Sequence, residues 1–234
     1  VLNMSVIKLD GYNLSLEDLI KVSRFNHKVE LTENAVERIK KSRAIVDDLV
    51  ENEKVSYGIT TGFGKFSDVV ISKKDTHKLQ INLIRSHACG VGNPLSEEIV
   101  RAMMLLRINA LSKGYSGIRL ETLQILIDML NKGVHPIVPE KGSLGSSGDL
   151  APLSHMVLTM IGEGEAIYKG EKMSSKDALE KAGIKPLEYL SSKEGLSLNN
   201  GTQCMTAIGA ITAYDAINLM KTADIALGLT MEGL

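Results

Sequence analysis

GSLGSSGDLAPLSH, residues 142–155, changes character in its middle. Gly142, Gly145 and Gly148 recur every third position, with Ser143, Ser146 and Ser147 between them. Asp149, Leu150, Ala151, Pro152 and Leu153 follow at once, so a polar loop becomes an apolar helix within two residues. Glycine-rich turns before helices serve phosphate binding, catalysis or simple capping. A phosphate-binding loop needs Lys and then Ser or Thr after its last glycine. Here Asp149 puts a negative charge where a phosphate would sit. A dinucleotide fingerprint needs a preceding strand and a different glycine spacing. Two readings remain. In one, the stretch is a turn with Asp149 as N-cap of the next helix. In the other, the Gly148 nitrogen attacks the Ser146 carbonyl carbon, an approach open to a residue without Cβ. Loss of water closes a five-membered ring, and loss of a second water from Ser147 leaves an exocyclic methylene. The product is an electrophile made from the backbone.

Outward from this stretch the chain reads as helices. Ser15 opens LEDLIKVSRF with acidic residues in its first turn. Thr32 opens a second helix with Ala35, Val36, Ile39, Ala44, Ile45, Leu49 and Val50 at helical spacing. SVIKL at 5–9 alternates as a short strand, and SYGITTGFGKF at 56–66 breaks into a loop. A helix resumes near Lys73 and ends at GVGNP; Ser96 caps the next, and another spans 120–131. Gly133, Pro136 and Pro139 enforce an extended crossing. Past the opening stretch, a helix runs to Ile161, AIYKGEKM forms a hairpin turning at Lys169-Gly170, and a short helix covers 175–182. From Thr202 to Leu234 the pattern is one long helix, too apolar for a single exposed face. It predicts a place inside a helical bundle, and a chain that is a piece of something longer or part of an intimate oligomer. The expected fold is mainly α: a small α/β N-terminal part over 1–201, with the loop at 142–148, leading into the start of a long bundle at 202–234.

Composition narrows the function. The 234 residues carry a formal net charge of -1, with 44% hydrophobic and 24% charged residues, as in ordinary globular proteins. There is no basic patch for nucleic acid, and with no Trp and 4% aromatics no base-stacking platform. Residues 1–30 carry charges throughout, unlike a signal peptide, and 195–214 is too polar for a membrane span. Cys89 and Cys204 lack CxxC partners and read as small core residues in a reducing, cytoplasmic setting. His27, His77 and His135 show no metal spacing.

The run at 142–155 resembles the signature of the aromatic amino acid ammonia-lyases, which act on histidine or phenylalanine. Their prosthetic group, 4-methylidene-imidazol-5-one, forms from an internal Ala-Ser-Gly triplet. The matching triplet here is Ser146-Ser147-Gly148, with Ser in the usual Ala place. SYGITTGFG at 56–64, NLIRSHACGVG at 82–92 and LSLNNGTQ at 196–203 resemble further family segments in the same order, as do Arg107 and GYSGIR at 114–119. The resemblance implies that Tyr57 takes the substrate's β-proton, although a phenol's ordinary pKa near 10 must be lowered for that. It implies that Ser86 and His87 lie in the segment selecting the substrate ring, and that His87 favours L-histidine over phenylalanine. Asn200 would stabilise the ring or the substrate carboxylate. Asp149 would cap the helix and assist cyclisation, and His155 would be structural. The implied reaction is conversion of L-histidine to trans-urocanate and ammonia, with the built-in ring and no external cofactor or metal. Other readings are a tyrosine or phenylalanine lyase, a 2,3-aminomutase, or an inactive lyase piece. The resemblance further implies a homotetramer with shared active sites, and family members longer than this chain.

Overall fold

Ser15 and Thr32 each accept a hydrogen bond from the amide three residues on, Asp18 N at 3.1 Å and Ala35 N at 3.3 Å, and a helix starts behind each. These are α1 (Leu16–Phe25) and α2 (Glu33–Glu51). The computed structural model describes residues 6–52, 54–56, 59, 61, 73–144 and 148–234. Strands β1 (Ile7–Leu9) and β2 (Val29–Leu31) pair in parallel around α1, which gives the small α/β part anticipated at the N-terminal end.

After α3 (Lys73–His87) and β3 (Val91–Pro94) comes α4 (Glu97–Leu111), the centre of the molecule. Ser96 has the extended backbone of an N-cap but makes no side-chain cap bond; Glu97 and Glu98 supply first-turn charge instead. Val100, Met103, Met104, Leu105, Ile108 and Leu111 of α4 are buried, and with Arg101 and Arg107 the helix is covered on nearly every side. Around it lie α1, α5 (Leu120–Lys132) and β4 (Val134–Pro136). The prolines of the extended crossing stand where a strand tolerates them, Pro136 ending β4 and Pro139 starting β5 (Pro139–Lys141). β5 pairs antiparallel with β3, a contact that the sequence pattern did not suggest.

Helix α6 (Leu150–Met160) follows the glycine-rich loop, with Pro152 in its first turn where an amide is dispensable. It buries Leu153, Met156, Val157 and Met160 and packs on α3. The expected hairpin is β6 (Glu165–Tyr168) and β7 (Glu171–Ser174), which joins β4 as a three-stranded sheet. α7 (Ser175–Lys181) and the unforeseen α8 (Glu194–Asn199) lead to α9 (Gln203–Gly233). Helix α9 packs on α4 through its first turns, burying Cys204, Ala207 and Ile211, and everything from Asp215 onward is exposed. The mainly α expectation holds. Cys89 departs from its expected place in the core: it is exposed just past the end of α3, while Cys204 is buried as expected.

Candidate active site

Three segments meet around the start of α6. The first is the end of the glycine-rich loop. Gly148 has φ +93°, the left-handed region that favours glycine. A Cβ there would overlap the Gly201 carbonyl oxygen and lie 2.7 Å from its carbon. Leu144 and Gly148 form an isolated antiparallel bridge. Asp149 is fully buried and stands at the N-cap position of α6 as expected, but its side chain makes no cap bond to that helix, contrary to the sequence expectation. Its backbone, φ -93° and ψ 50°, is not the extended conformation in which a cap reaches over its own helix. Its amide donates to Gly201 O at 2.6 Å, and its carboxylate accepts from Met205 N at 2.8 Å and Ser143 Oγ at 2.6 Å. Met205 lies in the first turn of α9, so Asp149 caps that helix across the fold.

The second segment is the end of α3. His87 Nδ1 lies 2.8 Å from Leu83 O. A carbonyl only accepts, so Nδ1 carries the hydrogen and Nε2 of the neutral ring is an acceptor. Ser86 Oγ donates to the same Leu83 O at 2.9 Å and lies 3.1 Å from His87 Nδ1, which makes it a cap on the last turn of α3. Just beyond, Gly90 N donates to His155 Nε2 at 3.0 Å. Burial holds the His155 imidazole below its ordinary pKa, which favours this acceptor form.

The third segment is the turn from α8 into α9. Asn200 ends α8, with its amide on Leu196 O at 3.1 Å and its side chain exposed. Its neighbour Asn199 is buried and donates to Ser154 Oγ of α6 at 3.3 Å. Arg107, 5% exposed, donates to Gln203 Oε1 at 3.0 Å and to Ser197 O. Burial without a facing carboxylate pulls its guanidinium down to about 10, so it stays charged at neutral pH. Burial, with Asp149 nearby, pushes the Cys204 thiol up to about 11, which leaves it un-ionised at neutral pH.

The structure thus brings Gly148 against Gly201, next to Asn200, and links both through α6 to the turn after His87. Tyr57, Ser146 and Ser147 lie outside the described residues. Several supporting groups were not singled out from the sequence. Glu194, fully buried, accepts from Arg119 Nη2 at 2.7 Å, Arg119 N at 3.0 Å and Ser191 N at 2.8 Å, which anchors α8. Gln80 Oε1 of α3 accepts from Gly195 N at 2.8 Å. The acidic first residue of α8 was the available signal, but its partner Arg119 lies far off in the sequence, just before α5. Among the described residues no cluster of His, Cys, Asp and Glu could hold a metal ion, and no helix is long and apolar enough to cross a membrane.

A family model described as aromatic amino acid lyase matches residues 14–234. A histidine ammonia-lyase of Alkaliphilus oremlandii is 68% identical over 98% of this chain and 45% of its own length. One of Clostridium tetani is 61% identical over 99% of this chain, again 45% of its own length. Among solved structures, histidine ammonia-lyase from Trypanosoma cruzi superposes with a TM-score of 0.89 at 40% identity, over 95% of this chain and 43% of that one. Phenylalanine aminomutase of Pantoea agglomerans superposes with a TM-score of 0.87, also at 40% identity, over 93% of this chain and 42% of that one. The chain spans less than half the length of these relatives. With a match over nearly its whole length, the chain belongs to the aromatic amino acid lyase family.

Proposed function

We propose that this chain carries the electrophile-forming half of an ammonia-lyase that converts L-histidine to trans-urocanate and ammonia. The observation that carries the reading is the cradle at Gly148. Its left-handed backbone is locked against the Gly201 carbonyl, where no side chain fits. This suits a residue whose nitrogen must close on a carbonyl carbon two positions back. Asp149 fixes the other side of that peptide through Gly201 O, Ser143 and Met205, which holds the entry to α6 in place. The residues fit a 4-methylidene-imidazol-5-one made from Ser146-Ser147-Gly148, which supplies an electrophilic carbon for the substrate amine and so makes ammonia a feasible leaving group.

The other roles belong to the chain's own side chains. Tyr57 takes the β-proton. His87, with Nδ1–H held on Leu83 O, offers Nε2 to an imidazole N–H of the substrate, and Ser86 steadies the helix end that presents it. Asn200 supplies an amide to the ring or to the substrate carboxylate. The relatives named histidine ammonia-lyase support the choice of histidine. The working protein is a homotetramer in the cytoplasm, with active sites shared between subunits.

The test is intact mass followed by turnover, both on the full-length polypeptide. A mass two waters below the sequence, with urocanate from L-histidine, is expected. An unmodified mass would remove the electrophile. Product from L-tyrosine or L-phenylalanine but not from L-histidine would move the assignment to another member chemistry, such as that of the aminomutase.

A further inference from the structure

Helix α6 starts at the residue after Asp149, and one turn of it touches the segment that ends in His87. Ala151 and His155 stand four residues apart and share a face of that helix. Gly90 packs into this face. A Cβ on Gly90 would lie 3.1 Å from His155 Nε2, 3.2 Å from Lys141 O and 3.2 Å from Pro139 Cβ. A Cβ on Gly142, at the base of the glycine-rich loop, would lie 3.0 Å from Gly90 Cα and 3.2 Å from Ala151 Cβ. Two backbones and one helix face therefore close on a single amide, and His155 Nε2 is the acceptor for it at 3.0 Å. On the neighbouring position of α6, Ser154 meets Asn199, next to Asn200.

We propose that His155 is a positioning residue, whose Nε2 fixes the Gly90 amide and thereby sets the distance between the His87 ring and the loop entering α6. The inference rests on the reading of His87 as the group that receives the substrate ring. The contact of His87 with that ring exists in ground state and transition state alike. Misplacing it weakens uniform binding, which raises KM and leaves kcat nearly unchanged. A purely structural histidine would lower stability or the yield of folded enzyme without that split.

The experiment compares wild type, H155Q, H155N and H155L in the full-length protein. Gln carries an acceptor oxygen out to about the place of Nε2, whereas Asn stops at that of Nδ1. Intact mass shows that the ring forms in each. With L-histidine, H155L and H155N should raise KM roughly tenfold, the worth of one hydrogen bond to a partly buried amide, with kcat within about threefold. Exchange of the Gly90 amide should accelerate in the same two variants. H155Q should keep both properties near wild type. Wild-type KM and exchange in H155N overturn the proposal, and so does an H155Q as impaired as H155L. A wild type that leaves L-histidine unchanged defeats the functional reading alone; exchange at Gly90 then decides whether His155 holds the turn.

Discussion

Gly148 meets two independent demands, and each excludes a side chain. Its φ of +93° costs an L-residue of order 1 kcal/mol or more, and the site of its missing Cβ is occupied by the backbone of Gly201, which cannot rotate away. Gly148→Ala should therefore break the approach of the loop to the turn before α9. The expected outcome is a folded protein with the unmodified mass and no turnover; a variant that still loses two waters would show that the cradle does not govern cyclisation. At this scale the sequence was half legible. The glycine spacing and the following Asp marked the loop, because local chemistry writes itself in residue type. The true partners of Asp149, Met205 N and Gly201 O, come from the far side of the fold, and no local pattern announces them. Cys89 was misread for a related reason. Its small, apolar neighbours suit a core, yet the chain is turning outward there past the end of α3.

Among the elements, α4 shows how burial overrides side-chain character. Arg101 is fully buried on this helix, donating to Val22 O at 2.8 Å, Leu130 O at 3.2 Å and His135 Nε2 at 3.1 Å. Val22 and Leu130 lie in the last turns of α1 and α5, where carbonyls lack intrahelical partners and the helix dipole favours a cation. An arginine that a periodic reading would place on a wet face thus joins two helix ends to β4. Its neighbour pays in titration: burial, and then the Arg101 charge, hold His135 down at about 4 against an ordinary 6.5. Glu97 Oε1, 3.6 Å from His135 Nδ1 and half exposed, does not offset this, so the contact is no ion pair at neutral pH. The unfolded chain binds the proton first as pH falls. The stability tied to neutral His135 is present in full above about pH 6.5 and is lost as pH drops through about 4, a change of roughly 3 kcal/mol. His135→Gln keeps an acceptor for Arg101 and removes the titration. Urea unfolding should show that the variant loses less stability than wild type between those pH values. Equal acid slopes would mean that His135 is hydrated and titrates normally.

At the scale of the whole molecule, one end of the fold is closed and the other is open. Around α4 the helices and small sheets bury their apolar faces, as the helical periodicities implied. Helix α9 buries Cys204, Ala207 and Ile211, with Ala210 and Tyr214 partly covered, and beyond Asp215 it presents Leu219, Met220, Ile225, Leu227, Leu229 and Met231 to solvent. Arg24 holds its middle to the body through a two-pronged contact with Asp215, at 2.6 and 2.7 Å, while its Nε binds Glu98 at 2.7 Å. This contact sets the direction of the helix, and among the described residues nothing covers its later turns. The sequence showed this plainly, because a helix apolar all round must be buried by something. What buries it lay beyond any local signal, since the cover of a helix leaves no mark on the helix's own spacing. Ile225 and Leu229 stand four residues apart on one face, and burial of each is worth about 2 kcal/mol. Replacing both with Lys in the full-length protein should shift its mass by light scattering from the proposed tetramer to smaller species. Helical content should persist, because none of the described residues of the body covers that face. The proposed sharing of active sites between subunits predicts that turnover falls with the assembly. An unchanged tetramer would show that α9 is not a subunit contact, and loss of all folded protein would show that the same polypeptide covers it.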